Sequence, residues 1–141
     1  MEKLPLLSAL FIPVMTFRQQ FIGVHGLLMC GKAPLKGTSV MLWNYNYMGL
    51  GHELSHNVTD RLGRFELQGN DSSLLPLNVR LKIRHHCEAA EPCIRKLTLP
   101  LPRKYIVRGR GVSKWFDAGR LDLATRYPGE VRSCGNSTVG I

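Results

Sequence analysis

The 141-residue sequence predicts an all-β fold, a sandwich of two sheets built from about seven short strands. Two observations carry this expectation. Fourteen Gly and eight Pro are spread along the chain, which leaves little room for long uninterrupted helices and calls for short segments joined by turns. Between those breakers the apolar residues alternate with a period of two. With 44% hydrophobic and 21% charged residues, the composition is that of an ordinary globular domain. No internal repeat, heptad pattern or long linker divides the chain, so one domain is expected.

Taken in order, residues 4–17 carry no charge and are rich in Leu, Ile, Val and Phe, with Lys3 before them and Arg18-Gln19-Gln20 after. This is the pattern of a secretory signal peptide over residues 1–16, cut after Val14-Met15-Thr16. A membrane-spanning helix needs about 20 apolar residues, and this shorter run is broken by Pro5 and Pro13; the remaining alternative is an apolar first strand that stays. The mature domain is expected over residues 17–134, secreted and extracellular, with residues 135–141 as a C-terminal tail.

Residues 21–30 and 38–43 are the first strand candidates, apolar at most positions, and the two Gly and one Pro of Gly31-Lys32-Ala33-Pro34-Leu35-Lys36-Gly37 mark a tight connection between them. Residues 59–67 read as a turn closing on Gly63 into a strand that carries Phe65 and Leu67, and Gly69-Asn70-Asp71-Ser72-Ser73 reads as a polar turn. Residues 78–86 alternate without a fault: Val79, Leu81, Ile83 and His85 on one face, Arg80, Lys82, Arg84 and His86 on the other. That is a half-buried strand. After a connection from Cys87 to Cys93, Leu97, Leu99 and Leu101 alternate with Lys96, Thr98 and Pro100, so the pair forms a hairpin with a long loop. Leu121 and Leu123 alternate with Asp122 and Ala124 in a late strand.

Four cysteines in a small exported chain favour two disulfides over free thiols or a metal site. Cys87 and Cys93 stand at the facing ends of two alternating runs, so a bridge between them is expected, which leaves Cys30 with Cys134. Asn57-Val58-Thr59, Asn70-Asp71-Ser72 and Asn136-Ser137-Thr138 are glycosylation sequons.

The order of motifs resembles the nematode transthyretin-like family. The matching residues are Phe17-Arg18-Gln19-Gln20, Leu28-Met29-Cys30-Gly31 with Pro34, Gly37-Thr38 and Leu42-Trp43, then Thr59-Asp60 with Gly63-Arg64-Phe65-Glu66-Leu67. Leu81-Lys82-Ile83, His86-Cys87, Pro92-Cys93-Ile94-Arg95-Lys96, Pro102-Arg103-Lys104-Tyr105-Ile106, Trp115-Phe116-Asp117, Gly119, Leu121 and Tyr127-Pro128-Gly129-Glu130 leading to Cys134 complete the set. The resemblance implies a secreted domain with the transthyretin-like, immunoglobulin-like β-sandwich. It also implies a binding role, since some members of that family are thought to bridge phosphatidylserine on dying cells to phagocyte receptors. One departure stands out: where members commonly carry several acidic residues after the Leu-Trp pair, this chain reads Asn44-Tyr45-Asn46-Tyr47-Met48-Gly49-Leu50-Gly51-His52-Glu53 and keeps only Glu53.

No enzyme motif survives scrutiny. There is no nucleophile elbow and no phosphate-binding Gly-rich loop. His52-Glu53-Leu54-Ser55-His56 matches the zinc-protease pattern by letter, but that chemistry needs a helix to place both imidazoles on one face, and the resemblance puts the segment in an exposed connection between strands. His85 and His86 point to opposite faces of a strand and cannot readily share one ion with Cys87 and Cys93. Hydrolases that share the wider fold use a C-terminal Tyr-Arg-Gly-Ser, whereas this chain ends Asn136-Ser137-Thr138-Val139-Gly140-Ile141. No catalytic role, metal or cofactor is expected.

The stronger signal is charge. Nineteen Lys and Arg against ten Asp and Glu give a net charge of +9, which attracts anionic surfaces. Arg80, Lys82, Arg84 and His86 on one strand, Lys96 on the next, and Arg103, Lys104, Arg108, Arg110 and Lys114 after it form a candidate basic face, with Tyr45, Tyr47 and Met48 as apolar contacts. The expected function is an extracellular binding module for an anionic phospholipid or glycan surface, phosphatidylserine among them, or for a surface receptor. The alternative is a carrier of a small apolar ligand or lipid. Nucleic acid does not fit the compartment, and no base-stacking motif is present.

Overall fold

The computed structural model describes residues 19–135; the expected signal peptide and Asn136 with its sequon lie outside them. Ten strands occur among the described residues, in two sheets packed on a shared apolar core. The first sheet is organised by β1 (Gln19–Cys30), whose Ile22, Val24 and Leu28 point inward and are fully buried. It pairs with β2 (Ala33–Pro34) and β5 (Arg64–Ser72) antiparallel, with β8 (Val107–Arg108) antiparallel, and with β9 (Trp115–Asp122) in parallel.

The second sheet runs in the order β10 (Val131–Cys134), β7 (Cys93–Pro100), β6 (Val79–His85), β3 (Ser39–Tyr45), β4 (Gly51–Val58), all antiparallel. Its inner face supplies Val40, Leu42, Val79, Leu81, Ile83 and Leu97, which meet Phe65 and Leu67 of β5. The period-two alternation of β6 is realised residue by residue: Val79, Leu81, Ile83 and His85 are buried, while Arg80, Lys82 and Arg84 face out. Gly63 closes the turn before β5 with φ of 82°, and a Cβ there would collide with the Leu28 carbonyl oxygen. Only glycine meets both conditions without strain.

The two-sheet sandwich agrees with the sequence, but the strand count is ten rather than about seven. Of the strands that no run in the sequence marked, β2, β8 and β10 are short, and β4 is an edge strand with little buried surface. None carries an alternating pattern, because an edge or a two-residue bridge buries too little to require one. Gly69-Asn70-Asp71-Ser72 is not a turn but the end of β5, held by pairing with Gln19–Ile22 of β1. The segment carrying His52 and His56 is β4 itself, not a connection.

The disulfides differ from the expectation as well. Cys30 pairs with Cys87, and Cys93 pairs with Cys134. The ladder between β6 and β7 stops at His85 opposite Arg95. Beyond it the chain turns, with Glu88 at φ of 52° and the Ala89 N–H donating to the His86 carbonyl. This carries Cys87 inward, to 3% exposure, against the end of β1 in the other sheet. Cys93 instead lies directly opposite Cys134 in the β7–β10 pair. One bridge therefore ties sheet to sheet and the other ties an edge strand to its neighbour.

Candidate functional site

The outer face of the second sheet gathers four of the predicted cations. Register places Arg80, Lys82 and Arg84 of β6 beside Trp43, Met41 and Ser39 of β3, and Arg84 also beside Lys96 of β7. Two of these cations rest on aromatic rings. Lys82 Nζ lies 4.0 Å from the centroid of Trp43 and the Arg80 guanidinium 4.6 Å from that of Tyr45, and the two rings stack on each other at 6.3 Å. Such contacts contribute roughly 0.5–1 kcal/mol each at exposed sites, enough to hold long flexible side chains in place while the charges stay accessible. Met41, Trp43, Lys82, Arg84, Lys96 and Thr98 line a shallow open groove of about 330 Å³ along this face.

Carboxylates are nearly excluded from it. Among the described residues only Glu53, opposite Trp43 on the edge strand β4, is placed there by register. Glu66 and Asp71 are on β5 and Asp117 and Asp122 on β9, in the other sheet; Asp117 stands 3.5 Å from His25 of β1, and Asp60, in the turn before β5, binds Arg64 at 2.9 Å. Glu130 is consumed by the buried Arg95, its carboxyl held below the ordinary carboxylate range by that hydrogen bond. No described carboxylate forms an ion pair with Arg80, Lys82, Arg84 or Lys96.

The remaining members of the predicted set are dispersed. His86 is exposed just beyond β6 at the disulfide end, with Nδ1 3.1 Å from the Cys93 carbonyl. Arg103 and Lys104 lie at the opposite end, on a single 3-10 turn (Arg103–Tyr105), where Arg103 lines a second depression with Tyr45, Tyr47 and Leu75. Arg108 donates to the Ser73 and Leu74 carbonyls. Arg110 and Lys114 are exposed between β8 and β9 and so belong to the other sheet. Trp43 is the component that sequence reasoning did not place: β3 is apolar on both faces, so alternation alone does not tell which of its residues look outward.

The zinc-protease letters do not assemble. A bulge shifts the register of β4 against β3 between Leu42 and Trp43, so His52 pairs with the inward Asn44 while His56 pairs with the outward Met41. His52 Nε2 lies 2.7 Å from Asp71 and His56 Nε2 lies 2.9 Å from Ser39 Oγ, on opposite faces of the sheet. Among the described residues no three His, Cys, Asp or Glu side chains are grouped to hold a metal ion. Both described sequon asparagines are exposed: Asn70 on the outer face of β5, and Asn57 on β4, where its amide donates to the Glu66 carbonyl. No described helix is long and apolar enough to cross a membrane.

The chain is similar to known proteins over most of its length. The family model "TTR-52: Transthyretin-like family" matches residues 25–102, which run from β1 through the basic strands to the end of β7. Three proteins of Caenorhabditis elegans are similar across most of the chain. Transthyretin-like protein 33 is 31% identical over 95% of this chain and 98% of its own. Transthyretin-like protein 5 is 35% identical over 82% of this chain and 84% of its own. Transthyretin-like protein 46 is 36% identical over 90% of this chain and 73% of its own.

Proposed function

Because the chain belongs to the transthyretin-like family, whose nematode members are generally non-enzymatic binding modules, we propose that it is a secreted module that recognises an anionic cell surface through the outer face of the β10-β7-β6-β3-β4 sheet. The observation that carries this is the segregation of charge. Four cations stand on one rigid face, two of them held on aromatic rings, with a single carboxylate at the edge. A face of one sign concentrates counter-charged ligands and steers their approach. Phosphatidylserine headgroups and sulphated glycans present the matching anionic chemistry. Two disulfides support an oxidising compartment. A sugar on Asn70 would sit on the outer face of the other sheet and leave the basic face uncovered.

The test is charge reversal. The triple variant Arg80→Glu, Lys82→Glu, Arg84→Glu is expected to bind vesicles containing phosphatidylserine at least about a hundredfold more weakly, at about 1 kcal/mol for each cation removed near an anionic bilayer. Unchanged binding by a folded triple variant would remove the basic face from the interaction.

A further inference from the structure

We propose, resting on the surface reading above, that the protein meets its target as a lipid bilayer and does so end-on, inserting an apolar tip built from the β3–β4 turn and the β5–β6 loop into the boundary between headgroups and acyl chains. Exposure is the first observation. Of the eight large hydrophobic side chains left exposed among the described residues, five lie in these two segments: Tyr47 at 85%, Met48 at 69%, Leu50 at 66%, Leu74 at 68% and Leu75 at 57%. Clustered apolar exposure of this kind marks an interaction site. The two segments are neighbours: the Tyr45 N–H donates to the Asn78 carbonyl, and Tyr47, Leu75 and Arg103 line the same depression of about 320 Å³.

The backbone is the second, independent observation. In the turn, Asn46 Oδ1 accepts from the N–H groups of Met48 and Leu50 at 2.9 and 3.0 Å, and the Asn46 N–H donates to the Leu50 carbonyl at 2.9 Å. In the loop, the buried Gln20 amide donates to the Ser73 and Leu75 carbonyls at 3.0 and 2.8 Å and accepts from the Leu77 N–H at 3.0 Å. Arg108 donates to the Ser73 and Leu74 carbonyls. Several polar backbone groups of both segments are thus paired within the protein, while the apolar side chains stand exposed. Pairing of these groups lowers the cost of taking the two segments out of water.

Charge around the tip fits the same occupant. Arg80 on Tyr45, and Arg103 and Lys104 on the adjoining 3-10 turn, form a cationic collar at the level where anionic headgroups would sit. Tyr47 suits the interface itself, with an apolar ring and a polar hydroxyl. Cations above an apolar wedge match an anionic bilayer, which presents the same two layers in the opposite sense.

The variant Met48→Ser, Leu75→Ser removes two exposed apolar side chains without changing the charge. Its binding to vesicles of phosphatidylcholine with phosphatidylserine is expected to fall roughly tenfold or more, while its retention on immobilised heparin stays at the parent level. In a second variant, Met48→Trp, fluorescence should shift to the blue on adding the same vesicles. Full vesicle affinity in the Ser variant, or no blue shift from the Trp variant, overturns end-on insertion while leaving the basic face intact. So would a Ser variant that turns a dimer into a monomer with vesicle binding unchanged, since the tip would then be a self-association surface. Should the parent bind neither vesicles nor heparin, the surface reading itself fails.

Discussion

At the residue scale the most informative side chain is one that touches no ligand. Arg95 is 1% exposed yet makes five hydrogen bonds: two to the Glu130 carboxylate at 2.8 Å, and one each to the carbonyls of Cys87, Leu123 and Thr125. It ties β7 to the segment before β10, to the β6–β7 connection and to the chain after β9. Breaking such a pair strands a buried charge, so Glu130→Gln should lower unfolding free energy by about 3–5 kcal/mol, and Arg95→Met combined with Glu130→Leu should cost less than that single change. Urea unfolding of both variants measures it. An equal or larger loss in the double variant would show that the pair stabilises through more than mutual neutralisation.

His85 belongs to the same cluster. Burial, and next the Arg95 guanidinium, push its imidazole down to about 4 from the ordinary 6.5. The unfolded chain then binds a proton between pH 6.5 and 4 that the folded chain refuses, so stability falls as pH drops through that window, by about 3 kcal/mol in all. Glu130, depressed by its bond to Arg95, adds a further loss at lower pH as it protonates. Unfolding measured at pH steps across the window should show this slope, and a folded His85→Gln variant should lose it. Little of this was legible beforehand. Alternation runs back from Leu99 and Leu97 to Arg95, but a charged residue argues for solvent until its partner, 35 positions later, is known.

At the scale of elements, what could be read were the strands that bury one face. In β6 and β7 the inward leucines, valine and isoleucine alternate with polar residues, and each was placed from that pattern alone. β4 shows why others were missed: flanked by one neighbour and open to solvent, it holds its place by pairing with β3, not by a buried stripe. The cysteines show a different limit. Spacing made a bridge within the β6–β7 hairpin natural, but the ladder ends two residues short of Cys87, and the loop geometry that redirects it leaves no trace in the sequence. Peptide mapping should link Cys30 to Cys87 and Cys93 to Cys134. Opening the first with Cys30→Ser, Cys87→Ser should cost up to about 4 kcal/mol for a 57-residue separation in the chain-entropy model.

The whole molecule has two distinct poles. Both disulfides lie where β1 and β6 end and β7 begins, and the apolar tip lies where β1 and β6 begin and β3 ends. The basic face runs between the poles. Its strand residues, Arg80, Lys82 and Arg84, were legible because a period-two strand must put them together, and Lys96 followed from the hairpin. The tip was only half legible: Tyr47 and Met48 stand in an obvious turn, but Leu74-Leu75 precede Pro76 and Leu77 in a run that looks like core, and only the fold shows Leu77 buried and the other two leucines exposed.

The central claim, that this face is the working surface, is tested most directly by binding of the purified protein to vesicles with and without phosphatidylserine across a salt series. The account predicts binding that requires phosphatidylserine and weakens steeply as salt rises, because the recognising charges are exposed and screenable. Equal binding to neutral vesicles, or none to either, would contradict it.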